Sequence, residues 1–178
     1  MVVRLSYRGM NEIDFQHDLL PLKNKLYRVA LRITLDSLEA EDVVEDTLVR
    51  VWERRKDVPR TVNLESYCLT ICRHLAIDRS EKKDAAHLPL DAAPSEIALD
   101  TAHPDEELEQ QERVLWVKRV LNTLPEKQRT ALQLREIDGR SYDEVAEVMQ
   151  ITAADVKVTL HRARKALKAA LETDRHRF

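Results

Sequence analysis

The densest chemistry in this chain lies close to its end. Between Val156 and Leu171 stand Lys157, Arg162, Arg164, Lys165 and Lys168, with His161 among them and no carboxylate. At helical spacing Val156, Leu160, Ala163, Leu167 and Ala170 fall on one apolar side. Lys157, Val158, His161, Arg162 and Lys165 fall on the other, flanked by Arg164 and Lys168. A helix divided this way can rest on its own domain and offer its cations to a polyanion. Residues nearest its N-terminus reach deepest into a major groove. On that geometry Lys157, Val158, His161 and Arg162 address base edges, and Arg164, Lys165 and Lys168 mainly address phosphates. The plainer reading is a solvated basic face on a terminal helix.

What precedes this helix favours the first reading. Ser141-Tyr142-Asp143-Glu144 is a capping box that opens a short helix with Val145, Ala146 and Met149. Gln150-Ile151-Thr152 then makes a turn, and Thr152 with Asp155 forms a second box. A short helix, a three-residue turn and a longer helix make the helix-turn-helix pattern. Other chemistry is thin. Cys68 and Cys72, the only cysteines, share one face of a predicted helix, where core packing competes with half of a metal or redox site. No glycine-rich phosphate loop, metal cluster or nucleophile arrangement is present, so no cofactor and no enzymatic activity are expected.

The elements that must position these residues follow from composition and periodicity. The chain has 178 residues with two glycines and six prolines. It is 43% apolar, 34% charged and only 4% aromatic. With no alternating strand pattern, this reads as all-α. A first apolar stripe, Phe15, Leu19, Leu22, Leu26, Val29 and Ile33, is broken or kinked at Pro21. Asp36 and Glu39 resemble a capping box before Ala40, Val44, Leu48, Val51 and Trp52. Asn63 is the expected N-cap of a third helix with Leu64, Tyr67, Cys68, Ile71, Cys72 and Leu75. From Asp84 to Glu112 there is no lysine or arginine, and Pro89, Pro94 and Pro104 interrupt a linker that has room for one helical turn near Ile97 and Leu99. A helix over 107–124 follows, with Leu108, Leu115, Val120 and Leu124. Pro125 starts another, with Ala131, Leu132 and Ile137, which stops at Asp138-Gly139. The expected organisation is a helical domain over 8–83, an acidic linker over 84–106 and a second helical domain over 107–174. The formal net charge of −3 is therefore segregated along the chain, and local field decides where a polyanion docks. There is no apolar run of membrane-spanning length and no signal-like N-terminus, so a cytoplasmic protein with no membrane insertion is expected.

Two blocks of sequence carry a resemblance. Leu124-Pro125-Glu126-Lys127-Gln128-Arg129, Leu134-Arg135-Glu136, Gly139 to Ala146, Val156-Lys157 and Leu160 to Lys165 resemble the C-terminal domain of sigma factors of the extracytoplasmic-function group, within the sigma-70 family. Ala40 to Asp46, Val51-Trp52, Ser66-Tyr67 and Arg73 to Arg79 resemble that group's N-terminal domain. Together they span most of the chain in the family's order.

The resemblance implies a sigma factor that directs core RNA polymerase to promoters and assists opening. It implies docking of the second helix on the β′ clamp helices through Asp42, Glu45, Asp46, Arg50 and Trp52. For the charged members the competing reading is a solvated face, and for Trp52 a core anchor. It further implies a contact with the β flap, and minus-ten recognition and melting by Asn63, Arg73, His74 and Arg79, with Lys82 and Lys83 on phosphates. The last helix would read the minus-thirty-five element, and an anti-sigma protein is an expected partner. The linker would thread the polymerase's basic channels or serve as a solvated spacer. Asparagine is common in the family where His74 stands, and glycine where Gln150 stands. The alternatives are a stand-alone helix-turn-helix regulator, which leaves the first block unexplained, and a helical interaction protein without DNA contact.

Overall fold

A computed structural model of the chain describes residues 13–59, 61–85 and 116–173. The possible turn near Ile97 and Leu99, most of the acidic linker and the start of the helix expected from 107 lie outside these residues. Among the described residues all regular structure is helical, and no helix is long and apolar enough to cross a membrane.

The first stripe is divided as Pro21 requires. A π-helical turn, Phe15–Leu19, is capped by the Asp14 carboxylate, which accepts from the His17 N–H. A 3-10 turn, Leu20–Leu22, contains the proline, and helix α1, Lys23–Thr34, then runs unbroken. It ends at Leu35, whose φ of 56° lets its N–H reach Leu31 O. Helix α2, Ser37–Glu53, is opened by Asp36, whose carboxylate accepts from the N–H groups of Leu38 and Glu39. Only half of the expected box forms there, because the Glu39 carboxylate turns instead to Arg79 on the next helix. Asn63 caps α3, Leu64–Ala85, by accepting from the Ser66 N–H at 3.1 Å.

These three helices close on one another through residues at i, i+3, i+4 and i+7. Leu26, Val29, Ala30 and Ile33 of α1 meet Ala40, Val43, Val44, Leu48 and Val51 of α2, and Cys68, Leu69, Cys72 and Ala76 of α3. Each fully buried leucine or valine contributes about 1.5–3 kcal/mol through removal from water. Cys68 and Cys72 are core residues, and Cys72 Sγ donates to Leu26 O.

The second half begins with the helical stretch 116–123 (α4), which stops at Leu124-Pro125. Helix α5, Glu126–Leu132, passes directly into a π-helical turn, Gln133–Ile137. That turn corrects one sequence expectation. The wider winding brings Leu134 fully into the core and leaves Ile137 56% exposed, although the periodicity assigned Ile137 to the apolar set. Gly139, with φ of +69°, ends the element. Helices α6, Tyr142–Met149, and α7, Ala153–Thr173, complete the fold.

Gln150 occupies the left-handed region, φ 55° and ψ 44°, where a Cβ carries a steric penalty. Gln150→Gly is expected to raise stability by roughly 0.5–1 kcal/mol, the relieved strain being offset in part by the freedom glycine adds to the unfolded chain. Urea unfolding followed by circular dichroism checks this.

Candidate nucleic-acid interface

The helix-turn-helix is built by reciprocal caps. Ser141 Oγ accepts from the Glu144 N–H, and the Glu144 carboxylate accepts from the Ser141 N–H at 2.7 Å. In the second box Thr152 Oγ1 accepts from the Asp155 N–H, while Asp155 Oδ2 accepts from the Thr152 hydroxyl. Val145, Val148 and Met149 of α6 pack with Val156, Leu160 and Ala163 of α7, so the recognition helix is fixed in rotation. Its opposite face, Lys157, Val158, His161, Arg162, Arg164, Lys165 and Lys168, is exposed throughout.

Tyr142, which the sequence offered only as part of a motif, organises the near end of this surface. Its ring lies under the Arg135 guanidinium at 4.6 Å and the Lys157 ammonium at 5.6 Å. Arg164 pairs with Glu136 and also meets the Tyr142 hydroxyl; these partners raise the Arg164 pKa above its ordinary value, with Glu136 the larger cause. No apolar periodicity could have revealed this, because the cations come from two elements, Arg135 from the π-helical turn and Lys157 and Arg164 from α7, while Tyr142 opens α6.

The residues assigned to the minus-ten element are dispersed by the fold. Asn63 is exposed but uses its side-chain oxygen as a cap. His74 and Lys82 are exposed. Lys83 Nζ donates to Asp36 at 3.0 Å. Arg79 is engaged by three carboxylates, and its pKa is raised, chiefly through the hydrogen bond with Glu39. Arg73 is 6% exposed and donates to Glu126 Oε2 at 3.2 Å, at a seam between the two halves of the molecule.

That seam is polar and extensive. Glu65 Oε1 accepts from Lys25 at 2.7 Å and from Arg140, which is 7% exposed. Arg28 donates to Asp138 Oδ1 at 2.7 Å, and Arg32 Nε to the buried Gln133 side chain at 3.1 Å. Arg129 Nε donates to Arg32 O, and its Nη1 to Asn122 O and Leu124 O. Burial, and then the neighbouring Arg129, lower the Arg32 pKa.

On the proposed docking face, Asp42, Glu45, Asp46 and Arg50 are exposed along α2. Val49, missed by the sequence reading, stands among them 55% exposed. Trp52 is half-buried, edge-on to Phe15 at 5.6 Å and beneath the Arg55 guanidinium at 4.1 Å. The two thiols lie apart from all of this, and burial pushes both pKa values up to about 12, which keeps them protonated. Among the described residues no group of metal-ligating side chains converges.

Two helical units, one ending in a helix-turn-helix with an exposed cationic face, define a class of DNA-binding protein. Comparison with known proteins specifies which. Residues 21–86 match the model for Sigma-70 region 2, and residues 115–167 match that for Sigma-70, region 4. The ECF RNA polymerase sigma factor SigL of Mycobacterium tuberculosis (strain ATCC 25618 / H37Rv) is 30% identical over 149 residues, covering 83% of this chain and 82% of SigL. SigW of Bacillus subtilis (strain 168), also an ECF RNA polymerase sigma factor, is 28% identical over 158 residues, 84% of each protein. The sigma factor RpoE of Bartonella quintana, solved in complex with the anti-sigma factor NepR, superposes with a TM-score of 0.69 at 28% identity, covering 90% of this chain and 98% of that one. The chain belongs to the extracytoplasmic-function group of sigma-70 family sigma factors, and its function is to direct RNA polymerase to promoters. That membership supports a non-enzymatic role.

Two tests follow from this geometry. Glu65→Gln with Glu126→Gln removes the carboxylates that meet Arg140 and Arg73 across the seam, leaving Arg73 without its carboxylate and Arg140 with only the longer contact to Glu144 at 3.9 Å on its own half. Small-angle scattering is expected to show a larger radius of gyration than wild type, with helix content unchanged. Hydrogen bonding from the Ser141 N–H holds the Glu144 carboxyl below its ordinary value of 4.5. Its contribution is complete above that value and declines as pH falls through the lower folded-state pKa. Thermal melts across pH 3–6 are therefore expected to show a shallower acid decline for Glu144→Gln.

Proposed function

We propose that residues 8–83 dock on core RNA polymerase and read and open the minus-ten element, while residues 107–174 read the minus-thirty-five element. Residues 84–106 tether the two. Asp42, Glu45, Asp46, Arg50 and Trp52 contact the β′ clamp helices, and the second domain sits at the β flap. Asn63, Arg73, His74 and Arg79 act on the minus-ten strand, with Lys82 and Lys83 on its phosphates. Lys157, Val158, His161 and Arg162 meet base edges of the minus-thirty-five element, and Arg164, Lys165 and Lys168 meet its backbone. The protein works in the cytoplasm without cofactor or catalytic residue, and an anti-sigma protein restrains it, as the pairing of Bartonella RpoE with NepR suggests by likeness.

The observation that carries this reading is the doubly capped helix-turn-helix, which holds seven side chains of α7 outward with Val156, Leu160 and Ala163 locked behind them. Cations held this way gain affinity by displacing condensed counterions from phosphates, and side chains near the helix start gain specificity from base edges. Arg73 lies in the seam, so its use on DNA requires the halves to part. Separation also suits two modules that must lie on different promoter elements.

Footprinting and run-off transcription with purified core enzyme test the proposal. Protection that requires core polymerase supports it; protection by the protein alone, on a palindrome, favours a stand-alone regulator. Arg162→Glu is expected to weaken minus-thirty-five-dependent binding roughly 5- to 100-fold. Its affinity for core polymerase should stay at the wild-type value in the same preparations. Loss of both would count against this division of labour.

A further inference from the structure

Two sets of residues assigned to different partners meet one another in the fold. The Arg79 guanidinium reaches from α3 to α2. There Nη1 donates to Glu39 at 3.0 Å and to Asp42 at 3.1 Å, and Nη2 donates to Asp46 at 2.7 Å. Glu39, Asp42 and Asp46 are spaced by three and four residues, which sets their carboxylates in one stripe along α2. The side chains of Asp42 and Asp46 are 64% and 56% exposed, so an incoming surface can reach them while Arg79 holds them. With both Nη groups engaged by carboxylates, the guanidinium has less to offer a phosphate or a base. The same carboxylates, so engaged, present less negative charge to cations outside.

We propose that Arg79 and core RNA polymerase compete for Asp42 and Asp46, so that docking releases Arg79 from these acids to the DNA strand at the minus-ten element. This rests on the docking assignment given under Proposed function and adds to it an order of events. The exchange is easy in energetic terms, because exposed ion pairs of this kind shift an equilibrium by only about two- to fivefold each. Glu39 lies outside the docking set and is the least exposed of the three carboxylates, at 39%. It keeps one edge of the guanidinium while the other swings free, so Arg79 turns about a retained contact instead of being lost to solvent. Lys83 is held separately by Asp36, and Lys82, on the same end of α3, is exposed, so the released charge adds to one already available there. Before docking, the minus-ten surface lacks Arg79; after docking, it gains it.

The sign of one measurement separates this from a structural role. Full-length wild type, Arg79→Gln and Arg79→Lys, each labelled with a fluorophore and checked for folding by thermal melting, are titrated with purified core polymerase. Competition requires Arg79→Gln to bind core more tightly than wild type, by about two- to fivefold for each of the two pairs and so by up to about 25-fold, because Asp42 and Asp46 are released in advance. It also requires that gain to vanish in an Asp42→Asn/Asp46→Asn background. The same Arg79→Gln holoenzyme should open promoters less well. Arg79→Lys, which keeps a charge but can meet fewer carboxylates at once, should bind core at least as tightly as wild type. A folded Arg79→Gln protein with unchanged or weaker core affinity overturns the exchange, as does weakened binding by Arg79→Lys. Wild type that binds no core polymerase would instead overturn the docking assignment, and the exchange with it.

Discussion

A guanidinium group withdrawn from water must find acceptors around its whole plane, and this requirement shapes the contact between the two halves of the molecule. Arg73 and Arg140 are both nearly inaccessible, and each meets a carboxylate from the opposite half. Neither is fully satisfied. Arg73 Nε, Arg140 Nε and Asp138 Oδ2 are buried with no hydrogen-bond partner among the described residues. Desolvating such groups costs free energy that imperfect pairing recovers only in part. The seam is therefore specific in register without being strongly cohesive, which fits the proposal that the two halves part on the promoter.

The halves are treated unequally by this contact. The cations of α7 remain exposed in the closed arrangement, while α3 has Arg73 in the seam and Arg79 under three carboxylates. Under the proposed assignment, duplex recognition at the minus-thirty-five element would need no rearrangement within α7. Engagement of the minus-ten strand by the residues proposed for it would need several ionic contacts to be exchanged, an asymmetry that fits the proposed melting role inside a larger enzyme.

Features read correctly from the sequence were those encoded within a few residues. Ser141 with Glu144, Thr152 with Asp155, Asn63 before Leu64, and Pro21 each act on backbone groups three or four positions away, so spacing alone identifies them. What escaped depends on partners distant in the chain. Glu39 had two places to go, its own helix start or Arg79, forty residues on, and only the packing of α2 against α3 decides between them. Tyr142 reads only as a motif residue until α7 and the π-helical turn bring Lys157, Arg164 and Arg135 around it. Ile137 was misplaced for a different reason: a period of 3.6 does not hold through a π-helical turn.

That turn, Gln133–Ile137, sets the spacing between everything before and after it. Its extra residue per turn offsets the following chain by about 100° of rotation relative to an uninterrupted α-helix. On one side of that offset Gln133 enters the seam; on the other Arg135 reaches Tyr142 and Glu136 reaches Arg164. Chain length through this segment consequently constrains the fold more tightly than residue identity does: substitutions leave the phase intact, whereas insertion or deletion of a single residue would dislocate the seam from the exposed cationic face of α7.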